Sequence, residues 1–123
     1  MVHVLKAYCL LIRWDIFMKR HSFLELYEAI RSLPTSPRPA STTVSDSLYD
    51  AVEVACALYP KQVLCLQRSC VLTRMCRSRG LAAQLTIGSQ RRPFRAHAWV
   101  TLEGEIIRDR LAQREAFLIL EVC

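Results

Sequence analysis

The stretch CLQRSCVLTRMCRSRG, residues 65–80, decides the fold. A helix is expected over residues 62–79. Gly80 serves as its C-cap, and Arg74, Arg77 and Arg79 suit the negative end of its dipole. On a helical wheel Cys65, Ser69, Leu72 and Cys76 share the core-side face, while Gln67, Arg74 and Arg77 turn away. After Gly80 the hydrophobic period changes to that of strands. Residues 84–88 read as a strand and 89–93 as a basic loop. Residues 95–102 and 105–109 read as a hairpin turning near Gly104, and 116–122 as a last strand. Helices first and an antiparallel sheet afterwards make the chain α+β.

Upstream, residues 2–33 read as one helix. His3, Ala7, Leu10, Trp14, Phe17, His21 and Leu24 form its packing stripe, with both histidines structural. Three prolines interrupt residues 34–39, so 34–45 is expected to be a linker that leaves the first helix as an appendage or a flap. A further helix is expected over 46–59, with Ser47 and Asp50 as a capping box and Leu48, Val52, Ala55 and Tyr59 as its apolar face. The expected organisation is a helical segment at 1–33, the linker at 34–45 and a catalytic domain at 46–123.

The chain has 123 residues, 52% of them apolar, enough for one core. The formal net charge of +6 is carried mainly by scattered arginines, with no run of five and no interleaved aromatics, which speaks against a nucleic-acid platform. The apolar run at 7–12 is far shorter than the roughly 20 residues of a membrane span. Six cysteines at 9, 56, 65, 70, 76 and 123 show no C-x-x-C spacing and no zinc-finger histidine. Free thiols in a reducing cytoplasm are expected, five of them as small buried groups.

The sixth is Cys65. A cysteine in the first turn of a helix meets unpaired N–H groups and the positive dipole end, which favour the thiolate needed for attack on a carbonyl. His97 lies outside the N-terminal stripe, between Ala96 and Ala98 in a strand, and can act as base. Asp109, the nearest carboxylate on the returning strand, can orient it. Side chains on paired strands share a face only in the right register. A two-residue turn at Glu103-Gly104 sets Ala98 opposite Asp109. A three-residue turn with Gly104 as a bulge, or a bulge elsewhere of the same parity, sets His97 opposite Asp109. The triad requires the latter.

Cys65-Leu66-Gln67-Arg68-Ser69, then Arg79-Gly80, Ile87-Gly88, Pro93-Phe94, Ala96-His97-Ala98-Trp99-Val100 and Gly104, resemble the lasso-peptide leader peptidases, the B2 proteins. The resemblance covers roughly 46–110 and implies a transglutaminase-like, papain-related fold with a Cys-His-Asp triad at Cys65, His97 and Asp109. It implies a cysteine protease whose substrate is a ribosomal precursor peptide, with a separate lasso cyclase acting next. The 33-residue segment before the linker is too short for the leader-recognition domain of fused members. The split form, served by a separate small leader-binding protein, is therefore expected. Arg68 reads as a structural ion pair, and Gln62 as a candidate second oxyanion donor beside the Cys65 N–H. No metal or organic cofactor is required by such chemistry. The alternatives are an acyltransferase or transglutaminase using the same triad, a nucleic-acid-binding module, and a non-catalytic peptide-binding subunit.

Overall fold

The computed structural model describes residues 2–33, 42–91, 94–102, 105–108 and 117–123. Four helices precede four strands: α1 Val2–Arg20, α2 Phe23–Arg31, α3 Thr42–Leu58, α4 Cys65–Ser78, β1 Ala83–Arg91, β2 Phe94–Leu102, β3 Glu105–Ile106 and β4 Leu118–Val122. The strands form one antiparallel sheet in the order β3-β2-β1-β4. The α+β expectation holds.

The single helix expected over 2–33 is two. It breaks at His21-Ser22, where the Ser22 side chain accepts a hydrogen bond from the Glu25 N–H at 3.3 Å and the His21 ring pairs with Glu25. A Ser-x-x-Glu start outweighs continuity of the apolar stripe because it satisfies a free donor of the new helix. Leu24, assigned to that stripe, is 63% exposed. Neither helix is an appendage. Ala7 and Leu11 of α1 and Ile30 of α2 are fully buried in the same core as Leu48, Val52 and Ala55 of α3. α3 begins at Thr42, inside the anticipated linker, and residues 34–41 lie outside the described set. Ser47 and Asp50 therefore sit within α3 instead of capping it. Asp50 instead accepts from Arg108 at 2.6 Å, and the Arg108 guanidinium lies 4.5 Å from the Tyr49 ring centre.

α4 runs through the middle of the molecule, against α1, α3, β1 and β2. Cys70, Val71, Met75 and Cys76 are at most 1% exposed, and Gln67, Ser69, Thr73 and Arg77 are buried as well. The expected outward face of Gln67 and Arg77 is thus wrong. Gln67 Nε2 donates to the Leu11 carbonyl at 2.8 Å, tying α1 to α4. Arg77 donates to the carbonyls of Ala83 at 2.9 Å, Ile30 and Cys123. A polar side chain enters a core when its partners come with it, and here main-chain oxygens of Ala83, Ile30 and Cys123 supply them. Arg68 makes the expected ion pair, 3.4 Å from Glu53.

Strand limits also differ. β1 continues to Arg91, which pairs with Phe94, so only residues 92–93 connect β1 to β2 where a five-residue basic loop was expected. In the next hairpin Leu102 pairs with Glu105 and Thr101 with Ile106. This is the two-residue register, not the three-residue turn that the triad argument preferred. The other arrangement that sets His97 opposite Asp109, a bulge elsewhere of the same parity, turns on the position of Asp109, which lies outside the described residues. The regular ladder then stops. Ile107 N–H donates to the Val100 carbonyl at 2.9 Å, and Arg108 takes a left-handed φ of 43°.

Candidate functional site

Helix α4 starts at Cys65 itself, three residues later than expected, which moves the cysteine to the first helical position. The N-cap is Leu64, in extended conformation, with no side-chain hydrogen bond to the helix. The first intrahelical bond runs from the Arg68 N–H to the Leu64 carbonyl at 3.0 Å. Leucine is a poor N-cap because it offers no oxygen to the first-turn N–H groups. Those donors, at Cys65, Leu66 and Gln67, therefore lack the side-chain cap found at most helix starts. The Cys65 side chain is half-buried against the core.

All six cysteines are free, and their settings separate them. Burial pushes the Cys76 thiol up to about 12 and raises that of Cys70 still further. Burial also raises Cys56 and Cys123. These four are disfavoured as thiolates. Cys9 is exposed on α1 and Cys56 is half-buried, so fewer cysteines are core groups than expected.

His97 occupies the middle of β2, directly across from Gly88 of β1. Alternation puts Ala98, Val100 and Leu102, with Leu85 and Ile87 of β1, on the face that meets the helices. His97 and Trp99 therefore leave β2 on the other face, together with Thr86 and Gly88. There the His97 ring lies 5.9 Å from Trp99, stacked, and 5.9 Å from Phe117. Trp99 and Phe117 are themselves 5.5 Å apart. Gly88 permits this arrangement. A Cβ added there would stand 2.7 Å from both the Phe117 Cβ and the Trp99 ring. The histidine is thus held by a small aromatic cluster. Phe117 carries no local sequence signal for that role, whereas Gly88 and Trp99 belong to the quoted motif.

β3 pairs only with Thr101 and Leu102, so at the level of His97 β2 is the margin of the described sheet. Asp109 lies outside the described residues, immediately after the left-handed Arg108. Gln62 is exposed in the segment leading to α4, which is anchored farther back. There Asp15 of α1 accepts from Lys61 at 2.8 Å and from the Tyr59 hydroxyl at 3.1 Å. The Lys61 hydrogen bond holds the Asp15 carboxyl below the usual carboxylate range. No helix among the described residues is long and apolar enough to cross a membrane.

Comparison with known proteins agrees with this architecture. Microcin J25-processing protein McjB of Escherichia coli is 36% identical over 56 residues, which cover 46% of this chain. The chain spans only 27% of the length of that relative. No solved structure matches it. The model of the transglutaminase-like superfamily matches residues 8–122. Since that match runs from α1 through the cysteine helix and the histidine strand to β4, the chain belongs to the transglutaminase-like superfamily.

Proposed function

We propose that this chain is a cysteine peptidase that removes the leader from a lasso-peptide precursor. The observation that carries the reading is Cys65 as the first residue of α4, behind an apolar N-cap, in a superfamily fold. The partial likeness to a microcin-processing protein supports the substrate class.

The proposed chemistry is acyl transfer. The Cys65 thiolate attacks the scissile carbonyl, and the oxyanion forms against the uncapped first-turn N–H groups, with Gln62 as a second donor. His97 takes the thiol proton and gives it to the leaving amine. Water, deprotonated by His97, then hydrolyses the thioester and frees the leader carboxylate. Asp109 orients the imidazole. The resulting core peptide, with a free N-terminus, passes to the lasso cyclase.

Dimensions support the Cys65–His97 pairing. Arg77 is pinned to the Ala83 carbonyl, and the turn at Gly80 sends β1 back alongside α4. Cys65 is then ~18 Å back along the helix and Gly88 ~17 Å along the strand, at 1.5 and about 3.4 Å per residue. That brings the thiol level with Gly88 and its partner His97. His97 springs from the opposite face and its ring turns over Gly88 toward Phe117, so in this reading the imidazole leaves that cluster to reach the thiol.

A separate leader-binding protein is part of the proposal. The test is precursor cleavage followed by mass spectrometry, with and without that partner. Loss of turnover in both Cys65→Ala and His97→Gln, with retained folding and precursor binding, is the expected result. Normal turnover in Cys65→Ala overturns the reading. Equal rates without the partner overturn the partner claim.

A further inference from the structure

Helix α1 is apolar on two opposite sides. Ala7, Leu10, Leu11 and Trp14 face the core. On the far side Val2, Leu5, Ile12 and Ile16 are 78%, 66%, 43% and 49% exposed, and Cys9 is exposed between them. Positions 2, 5, 9, 12 and 16 alternate steps of three and four residues, the repeat of a helix seam that receives another helix. Scattered exposed aliphatics are ordinary on a surface. A regular seam over most of a 19-residue helix is not scatter.

The charges beside the seam indicate what fits it. Lys6, Arg13 and Arg20, spaced by seven, are exposed along one flank. The other flank carries Lys19 and Asp15, and that carboxylate is already bound by Lys61 and Tyr59. In an antiparallel pair of α1 helices crossing at Cys9, Lys6 of one copy faces Arg13 of the other, which repels. A second copy in that arrangement is therefore disfavoured. An acidic flank on the incoming helix pairs with Lys6, Arg13 and Arg20 along their whole length.

We infer that the outer face of α1 is a docking surface for an amphipathic helix with an aliphatic seam and an acidic flank, supplied by a protein partner. The surface does not depend on the Cys65 chemistry, so the two readings fail separately. Because Gln67 ties α1 to α4, such a partner sits on a helix fastened directly to the one that begins at Cys65.

The experiment uses the full chain and two synthetic helical peptides. Both carry leucine and isoleucine at the seam positions and differ only in glutamate or lysine along the flanks. Binding is read by fluorescence anisotropy at low and high salt. The glutamate peptide is expected to bind at least tenfold more tightly than the lysine peptide and to weaken with salt. Leu5→Gln with Ile12→Gln is expected to reduce binding at least tenfold while leaving the circular dichroism spectrum unchanged. A glutamate peptide whose central cysteine carries a 2-pyridyl disulfide is expected to exchange with the Cys9 thiol, releasing 2-thiopyridone and leaving a mixed disulfide, and not with the Cys9→Ser variant. Equal binding of the two peptides, or no binding of either, overturns the inference. So does sedimentation as a dimer lost in Leu5→Gln/Ile12→Gln, or seam-dependent pelleting with anionic lipid vesicles but no peptide binding.

Discussion

The two ends of α4 answer opposite demands. At its first residue the helix holds a half-buried thiol behind Leu64, which caps nothing, so the first-turn donors stay open. In its last turn Arg77 lies 8% exposed and donates to three carbonyls from β1, α2 and the end of β4. A structural helix end needs its unpaired groups satisfied. A helix start that stabilises a reaction anion needs them free. Under the proposed function, the contrast between a locked end and an open end on one buried helix separates what holds this molecule together from what it offers to a substrate.

The strongest way to break that contrast is Cys65→Ala. Leader removal should fall by about a thousandfold or more, while the urea midpoint changes little because the side chain is small and half-buried. A large stability loss with activity retained would make the open end structural after all.

The locked end is probed by Arg77→Met. Three main-chain oxygens lose the guanidinium at once, Ile30 keeping the Leu33 N–H, and the cost should be about 3–5 kcal/mol in urea unfolding. Arg77→Lys should recover only part of it, because a single ammonium cannot reproduce the planar fork. A cost below 1 kcal/mol would show that water replaces the guanidinium and that this end is not locked.

A smaller effect tests the support of the histidine. Gly88→Ala drives a methyl group into Trp99 and Phe117, so stability should drop by about 1–3 kcal/mol. The near-ultraviolet circular dichroism of the aromatic cluster should change with it. Turnover should fall further than the folded fraction does, since the His97 ring rests on both aromatics. An unchanged aromatic spectrum would mean that the cluster does not respond to Gly88.

The smallest effect concerns the segment leading into the open end. Asp15→Asn removes the charge and one of the two oxygens that accept from Lys61 and Tyr59, and the effect should be small because the pair with Lys61 is largely solvated. The sign in pH follows from the lowered carboxyl pKa. The contribution is complete above an unfolded value of about 3.9 and is lost as pH falls through the folded one. The stability difference between wild type and variant should therefore be constant near neutrality and vanish in acid. A difference that grows in acid would reverse the assignment.

Much of the fold was legible because its signals are local. The change of period after Gly80 marks the passage from helices to sheet, and Cys65 stands where a helix begins. The break between α1 and α2 is also written locally, in Ser22 and Glu25, although the apolar stripe runs on through it. The string Ala96-His97-Ala98-Trp99-Val100, which carries the resemblance to leader peptidases, is likewise contiguous.

Other features depend on residues that no local window contains. Arg77 looks like a surface arginine at a helix end until Ile30 and Cys123, 47 and 46 residues away, bring their carbonyls to it. The last hairpin pairs Leu102 with Glu105, a register one residue tighter than the three-residue turn expected, and no local signal separates the two. The face on which His97 stands was settled by which alternate residues of β2 the helices bury. The sequence by itself therefore determined the passage from helices to strands and the helix that Cys65 opens, since periodicity acts over a few residues. Only the tertiary structure decided which polar groups enter the core and how Gly88, Trp99 and Phe117 close around the histidine, because burial is favourable only once distant partners arrive together.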